Sequence, residues 1–485
     1  MSGSPVALIV VAAVVLGTIV FALIGVHRVK MDPAQYIVGG RSFGTIFLWV
    51  LLAGEIYTTF TFLGIAGLSY SQGAPAFYVM AYGATAYIIG YFLTPAIWRV
   101  GKEQGLLTGA DFFETRFGSR ALGVGVAVLQ FLMIVPYVAL QLSGLQILLG
   151  IAGYGAYNAT ASVAIAFLVL ALFVFGTGLR GTAWASVVKD LFVLGGVSFA
   201  GIAIPTRFFG SPSAMFDRVL ALHPQMLVLA HGAAYHGTIW FISTVLLSGI
   251  GFFMGPQSWN AVFSARSGDT LRRNAMLLPL YQGFLTLMIF AGFSAALIAR
   301  GLKGTAVDQS FLLVVQRYYP AWILGLICSA GALAALVPAS ALLLAAASVI
   351  TKNVAGTFGI ATSDRARTGL TRALVLVVAV LALGFWITSQ RTVVELLLLY
   401  YNGITQFAPG AVATFLWPRA TALGVGSGIA AGLLVAVPLA ALNISPLGIN
   451  AGLIGLAANV AALVIVSVAT RPRVSATAPS IEAVS

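Results

Sequence analysis

Leu52-Ala-Gly-Glu-Ile-Tyr-Thr-Thr-Phe-Thr-Phe62 sets an ionisable residue, Glu55, beside Gly54 in the middle of an otherwise apolar run. Holding a charge at bilayer depth costs about 3 kcal/mol on insertion scales, so such a residue lines a polar cavity or pairs inside a helix bundle. Composition makes bilayer depth the right frame. Of 485 residues, 60% are hydrophobic and 8% charged, against about 25% charged in soluble domains. At about 20 residues per span the chain holds a dozen or more helices in one all-α integral membrane domain. That domain covers residues 1–470, and the Ser-, Ala- and Pro-rich stretch 471–485 reads as a short disordered cytoplasmic tail.

Apolar windows between charged or Gly/Pro-rich breaks predict thirteen transmembrane helices, at 5–26, 45–70, 75–98, 121–151, 159–176, 187–205, 236–263, 274–299, 320–350, 370–388, 393–417, 422–442 and 451–469. With the N-terminus outside, nineteen of the 25 Lys and Arg fall in inside loops, Arg180 and Lys189 among them. Arg207, Arg218, Arg300, Lys303, Arg317 and Arg391 remain outside. That bias predicts an N-out, C-in orientation. It also accounts for the net charge of +13 as a topology signal, so the lipid bilayer is the expected partner and nucleic acid is not. Residues Pro5 to Val26 are too long for a signal-peptide core and lack a preceding basic stretch, so they read as a retained first helix.

Other function classes find little footing. Cys328 lies in an apolar run and can form no intramolecular disulfide. His223, His231 and His236 share the outside segment 206–235 without a compact metal spacing, so no metal site is expected. In the same segment Met226-Leu-Val-Leu-Ala230 reads as a short helix lying along the membrane. No Gly-x-x-x-x-Gly-Lys or His-Glu-x-x-His occurs, which argues against ATP-driven transport, against an intramembrane enzyme and against any cofactor. A non-transporting membrane sensor would normally need an appended signalling domain.

Three of the expected spans are interrupted, and membrane transporters place solute and ion sites at such interruptions. The second reads as broken at Ala53-Gly54. The seventh contains Gly249-Ile-Gly251-Phe-Phe-Met-Gly255-Pro256-Gln257, where Pro256 removes a backbone donor. The eleventh carries Tyr400-Tyr401-Asn402-Gly403 and Gln406-Phe-Ala-Pro409-Gly410. Spans 2 and 7 lie five apart, the spacing of two five-helix repeats, 2–6 and 7–11. An odd repeat length inverts the second unit.

Several local sequences resemble the sodium/solute symporter family. They are Tyr36-Ile-Val-Gly-Gly-Arg-Ser-Phe-Gly44, Phe62-Leu-Gly-Ile-Ala-Gly67, Leu107-Thr-Gly-Ala-Asp-Phe-Phe-Glu-Thr-Arg-Phe-Gly118, Gly178-Leu-Arg-Gly-Thr-Ala-Trp184, Gly255-Pro-Gln-Ser-Trp-Asn-Ala-Val-Phe-Ser-Ala-Arg-Ser267 and Tyr401-Asn-Gly-Ile-Thr-Gln-Phe-Ala-Pro-Gly410. The resemblance runs from Ala34 to about Trp417. It implies a leucine-transporter-like inverted repeat with one leading and two trailing helices, acting in a bacterial inner membrane as a secondary active transporter by alternating access. Val135-Pro-Tyr137-Val-Ala-Leu-Gln141-Leu and Glu55-Ile-Tyr57-Thr look most like the branch that imports short monocarboxylates of the lactate and pyruvate type. Sodium-coupled carriers of proline, pantothenate and sugars share the scaffold.

Half-helix N-termini carry partial positive charge that suits a carboxylate, and carbonyls at a break suit a cation. Gly54, Glu55, Tyr57 and Thr58, facing Gly255 and Gln257, are therefore the candidate substrate site, with Tyr137, Gln141, Asn402 and Gln406 as further walls. The competing role for these polar side chains is interhelical bonding worth about 0.6 kcal/mol each. The resemblance also places a sodium ion among the carbonyls of Gly54, Tyr57 and Ala334, with a hydroxyl pair at the positions of Val337-Pro338. Neither residue has a side-chain oxygen, which a hard cation requires. Where many relatives carry an acid two residues after Trp184, this chain has Ser186, and Asp190 follows one turn on. The expectation is a degenerate sodium site and transport that is proton-coupled or uncoupled, with H+ the coupling ion in place of Na+. Glu55 is the candidate proton carrier, since burial favours the neutral form of a carboxyl. Asp190 beside Lys189 is expected at the inner face, and Glu395 near an outer entrance.

Overall fold

A computed structural model of the chain describes residues 5–27, 33–156, 158–234, 236–360 and 363–470, without the side chains of Pro33, Ala34, Tyr36, Glu55, Asp364 and residues 175–177. The expected tail 471–485 and the Glu55 carboxyl therefore lie outside the described residues. Among these residues nine helices are long and apolar enough to cross a membrane, and a tenth span forms if Thr238–Gly251 and Pro256–Ser264, bent by 48°, count as one. Thr45–Gly54 and Ala159–Val174 are shorter apolar helices. The regular secondary structure of the described chain is helical, with one isolated parallel bridge between Phe43 and Ala265.

Helix Ala321–Val349 is the axis of the bundle, with every residue from Cys328 to Val349 buried. Its Ala, Gly and Ser residues keep the surface low and let neighbours approach closely, which supplies the packing that lipid-exposed apolar area cannot. Val6–Val26 is the opposite case, with most of its side chains turned outward and one stripe seated on Ala321–Val349. A β-carbon at Gly325 would strike Val10, so that seat depends on glycine.

Two expectations about helix ends need correction. Helix Thr45–Ile56 runs through Ala53 and Gly54 and stops at Tyr57 (φ −87°, ψ 90°), before the π turn Phe60–Gly64 and helix Ile65–Gln72. Glycine permits a break but does not demand one, and the helix ends where side chains can cap the severed ends. Residues 177–186 were expected as an inside loop. Instead Ala159–Ser198 is interrupted only at Gly178 (φ 60°, ψ −161°), a conformation essentially reserved for glycine. The helix resumes at once, so Lys189 and Asp190 lie eleven and twelve residues into it, away from the inner face.

The other breaks fall where expected. Thr238–Gly251 and Pro256–Ser264 are separated by Phe252 to Gly255, and Val393–Ile404 passes through a 3-10 turn, Thr405–Phe407, into Ala408–Leu416. In the outer segment an α-helix forms at Pro212–Leu222, where Ser211 caps its first turn, and a 3-10 turn at Pro224–Leu227 overlaps the start of the Met226–Ala230 stretch. At the inner ends of the two broken spans, Phe43 N donates to Ser264 O at 3.1 Å and Arg266 N to Phe43 O at 2.9 Å.

Candidate functional site

A break severs the backbone ladder and leaves N–H and C=O groups that need partners inside the bundle. At the Tyr57–Thr58 break those partners are side chains. Thr59 donates its N–H (3.3 Å) and its hydroxyl (2.7 Å) to Gln141 Oε1, Phe60 N donates to Thr58 Oγ1 at 3.2 Å, and the Thr61 hydroxyl donates to Ile56 O. The N–H groups of Thr59 and Phe60, which open the second half of the broken span, are thus already satisfied. Gln141 Nε2 is left buried without a hydrogen-bond partner among the described residues.

Gln141 belongs to helix Arg120–Ala152, and one turn before it Tyr137 stacks on Tyr400 with ring centroids 4.7 Å apart. The Tyr400 hydroxyl accepts from Gln257 Nε2 at 3.0 Å, and a β-carbon at Gly255 would lie 2.0 Å from that hydroxyl. Gln257 Oε1 has no partner among the described residues. Gln130 Nε2 of the same helix approaches Met254 O in the second break at 3.5 Å, so the first break leans on helix Arg120–Ala152 at Gln141 and the second at Gln130, with Tyr137 between them reaching Gln257 through Tyr400. Asn402 and Gln406 are turned elsewhere. Gly452 N donates to Asn402 Oδ1 at 2.8 Å, Gln406 Nε2 donates to Gly452 O at 3.0 Å, and Asn459 Nδ2 donates to Gln406 O at 2.7 Å, so this pair joins its span to helix Ala451–Ala469.

Beside Gly54 and Tyr57 stands a charge pair that window-based reading misplaced. Lys189 is fully buried, with Nζ 2.8 Å from Asp190 Oδ1 and 3.5 Å from the Tyr57 carbonyl oxygen. A β-carbon at Gly54 would lie 3.0 Å from Ser186 Oγ and 3.4 Å from Lys189 Nζ. The Tyr281 hydroxyl donates to Asp190 Oδ1 at 2.7 Å, and the Tyr57 hydroxyl donates to Tyr281 O at 3.0 Å. A signal was present in the sequence: Lys189-Asp190 sits between Ala183-Trp-Ala-Ser-Val-Val188 and Leu191-Phe-Val-Leu194, inside one apolar run.

The expected cation positions can be tested against these atoms. Pro338 has no N–H, so the carbonyl of Ala334, four residues earlier, loses its helical donor, and an acceptor is available there. Val337 and Pro338 are buried and bring no side-chain oxygen. Ser340 donates to Val337 O at 2.6 Å and lies 2.9 Å from Thr182 Oγ1, facing the Ala159–Ser198 helix. The Lys189 ammonium already stands at the Tyr57 carbonyl. Held there by Asp190 at 2.8 Å, it occupies the place beside that carbonyl which a second cation would need. These positions, among the described residues, offer a sodium ion one freed carbonyl and no side-chain oxygen from Val337 or Pro338. Among the described residues no group of three His, Cys, Asp or Glu could hold a metal.

At the outer end of its span, Glu395 is a capping residue: its Oε2 accepts from Thr392 N at 2.8 Å at the start of Val393–Ile404. His236 packs on Trp240, and burial pushes its imidazole down to about 4.

A family model described as the sodium:solute symporter family matches residues 36–432. The chain is 36% identical to YhjB, an uncharacterized symporter of Bacillus subtilis (strain 168), over 97% of this chain and 99% of that protein. It is 29% identical to a monocarboxylate transport permease protein of Rhizobium johnstonii, over 88% of this chain and 89% of the permease. Among solved structures, a Na+-coupled sialic acid symporter in a substrate-bound outward-open state superposes with a TM-score of 0.79 at 16% identity, covering 96% of this chain and 98% of that one. A nucleobase-cation-symport-1 family transporter in a closed conformation gives 0.56 at 16% identity, covering 92% and 97%.

Proposed function

The chain belongs to the sodium:solute symporter family, a family of multi-pass cell-membrane transporters, and from that premise we propose that it imports a short monocarboxylate of the lactate or pyruvate type by alternating access, without sodium. The observation that carries the substrate class is the similarity to a monocarboxylate transport permease over 88% of the chain. The site supports it. Gln141, whose Nε2 has no partner among the described residues, and Tyr137 stand at successive turns of the helix that contacts both breaks. Neutral amide and phenol donors in a dry site orient a small anion while leaving it free to depart. The Gln257 amide, turned over, would present its N–H groups to the same space, since oxygen and nitrogen of an amide are assigned from the network.

The donor set at Val337-Pro338 and the position of Lys189 at the Tyr57 carbonyl support the sodium-independent half of this reading. The driving force is then a proton gradient or the solute's own gradient. Counterflow in proteoliposomes with labelled pyruvate, lactate, proline and pantothenate tests both halves of this reading. Pyruvate and lactate are expected to exchange at the same rate in sodium and in choline, while proline and pantothenate do not. Exchange of proline or pantothenate alone overturns the substrate class, and stimulation by sodium overturns the coupling. If Glu55 carries the proton, Glu55→Gln abolishes uptake driven by an inward pH gradient and leaves counterflow intact.

A further inference from the structure

We propose that the Lys189 ammonium is a tethered cation: it holds the carbonyl end of the first half-helix against the scaffold, the task a dissociable ion would perform at this position, and it never leaves. The proposal rests on the sodium-independent reading above and adds the group responsible.

Position comes first. The last carbonyls of Thr45–Ile56 carry the negative end of its dipole, which favours a cation. Lys189 Nζ lies 3.5 Å from the Tyr57 carbonyl and against Gly54, where a larger side chain would meet it. A β-carbon at Gly54 would press on Ser186 Oγ at 3.0 Å and only touch the ammonium at 3.4 Å, so the glycine lets the two helices approach closely here. The Lys189 stem rises from the Ala159–Ser198 helix, which packs along Ala321–Val349 and is joined to it by the 2.9 Å Thr182–Ser340 contact. The ammonium therefore couples a broken span to the buried central helix of the bundle.

Charge comes second. Neighbours in sequence diverge by about 100° on a helix and do not ordinarily face each other. Lys189 and Asp190 nonetheless converge to 2.8 Å, and Asp190 is held further by the Tyr281 hydroxyl from helix Gly268–Gly283. A buried ion pair gains little over an apolar pair of the same volume, so its presence beside a helix break calls for a role other than stability. Asp190 compensates the Lys189 charge and so lets an ammonium reside at the carbonyls. An ion that arrives from solution must be released in each cycle and therefore couples transport to its gradient. One bonded to the chain cannot.

The test uses the full chain in proteoliposomes and detergent, in sodium, methylammonium or choline chloride at a constant ionic strength of about 0.15 M. Wild type is expected to show equal counterflow and equal melting temperature in all three. Lys189→Ala is expected to lose counterflow in choline by at least about tenfold, the worth of one charge-assisted contact. It should regain part of that in methylammonium or sodium, with a matching rise in melting temperature. Because Lys189→Ala leaves Asp190 buried and unpaired, Lys189→Met with Asp190→Asn provides a neutral variant with the stem volume kept. It should fold and lose counterflow in every salt. Wild-type counterflow in choline from either variant overturns the proposal, as does a wild-type melting temperature that rises in sodium over choline. If no tested carboxylate exchanges, the substrate reading has failed, and the salt-specific melting of Lys189→Ala against wild type still decides the tethered cation.

Discussion

Gln141 shows how one side chain can serve the fold and a solute together. Its Oε1 accepts both the N–H and the hydroxyl of Thr59, which closes the break, while its Nε2 remains available. The two halves of the amide can be separated by substitution. Gln141→Leu strands a buried N–H, which costs about 1–3 kcal/mol, so a lower melting temperature and loss of exchange are expected together. Gln141→Glu keeps an acceptor for Thr59 but replaces the donor with negative charge. It should hold its melting temperature better than Gln141→Leu and raise the KM for a carboxylate about tenfold or more, since like charges in a dry site repel strongly. Equal KM values for wild type and Gln141→Glu would show that the amide nitrogen does not meet the substrate.

At the scale of elements, the outer short helix Gly304–Gln309 ties two spans through one carboxyl. Asp308 Oδ2 accepts from Val393 N at 2.9 Å, at the start of Val393–Ile404, and its Oδ1 presses on Gly67 of the other broken span, where a β-carbon would lie 2.6 Å away. Burial pushes the Asp308 carboxyl up to about 7, the Val393 N–H pulls it down, and the Glu395 charge adds to the rise. The folded state thus holds a proton between 3.8, the ordinary value, and about 7 that the unfolded chain does not. Stability from this group is fully present below the lower value and is lost as pH rises through the upper one. Asp308→Asn cannot ionise, so its melting temperature should vary less with pH across that window than wild type's and exceed wild type's above it. A parallel pair of pH profiles would remove Asp308 from this role. The sequence shows none of this, because Asp308 in a polar outer loop reads as solvated until the fold covers it. The same limit hid Lys189: counting charges by window assigns a Lys-Asp pair to the nearest loop. Where helix Ala159–Ser198 turns is decided by the positive φ of Gly178, which leaves no periodic trace. The breaks at Pro256 and Pro409 were legible because proline cannot donate. The break at Tyr57 was not, because it depends on Gln141 from another span.

For the whole molecule, the alternation of apolar runs and basic loops carries the fold, and it survives the removal of Lys189 from the inside set, since eighteen inside cations still face six outside. That robustness is why spans could be placed when sites could not: each span sums some twenty weak preferences, whereas a site depends on single atoms. The inside cations also do local work. Arg41 donates to Leu106 O and approaches Phe263 O at 3.5 Å, Lys352 pairs with Asp111, and Asn353 donates to Asp111 Oδ1 at 2.7 Å. With the Phe43–Ala265 bridge, these contacts draw the inner ends of both broken spans and the Gly109–Phe117 helix onto the π turn Ile350–Ala355. Alternating access requires them to part when the inner side opens. Lys352→Met removes the ion pair but leaves Asp111 accepting from Leu107 N, Thr108 N and Asn353, so the helix cap stands. The Lys352 side chain is 33% exposed, which limits the pair to about 1 kcal/mol, a population shift of about fivefold toward the inward-open state. A cysteine at Ser258, buried near the second break, reports that shift in a Cys328→Ser background through labelling by an impermeant maleimide from the inner side. Labelling should rise about fivefold in the variant, while addition of substrate should change wild type and variant in the same direction. Unchanged labelling would mean that the Phe43–Ala265 bridge and the Arg41 and Asn353–Asp111 contacts hold the inner side closed without the ion pair.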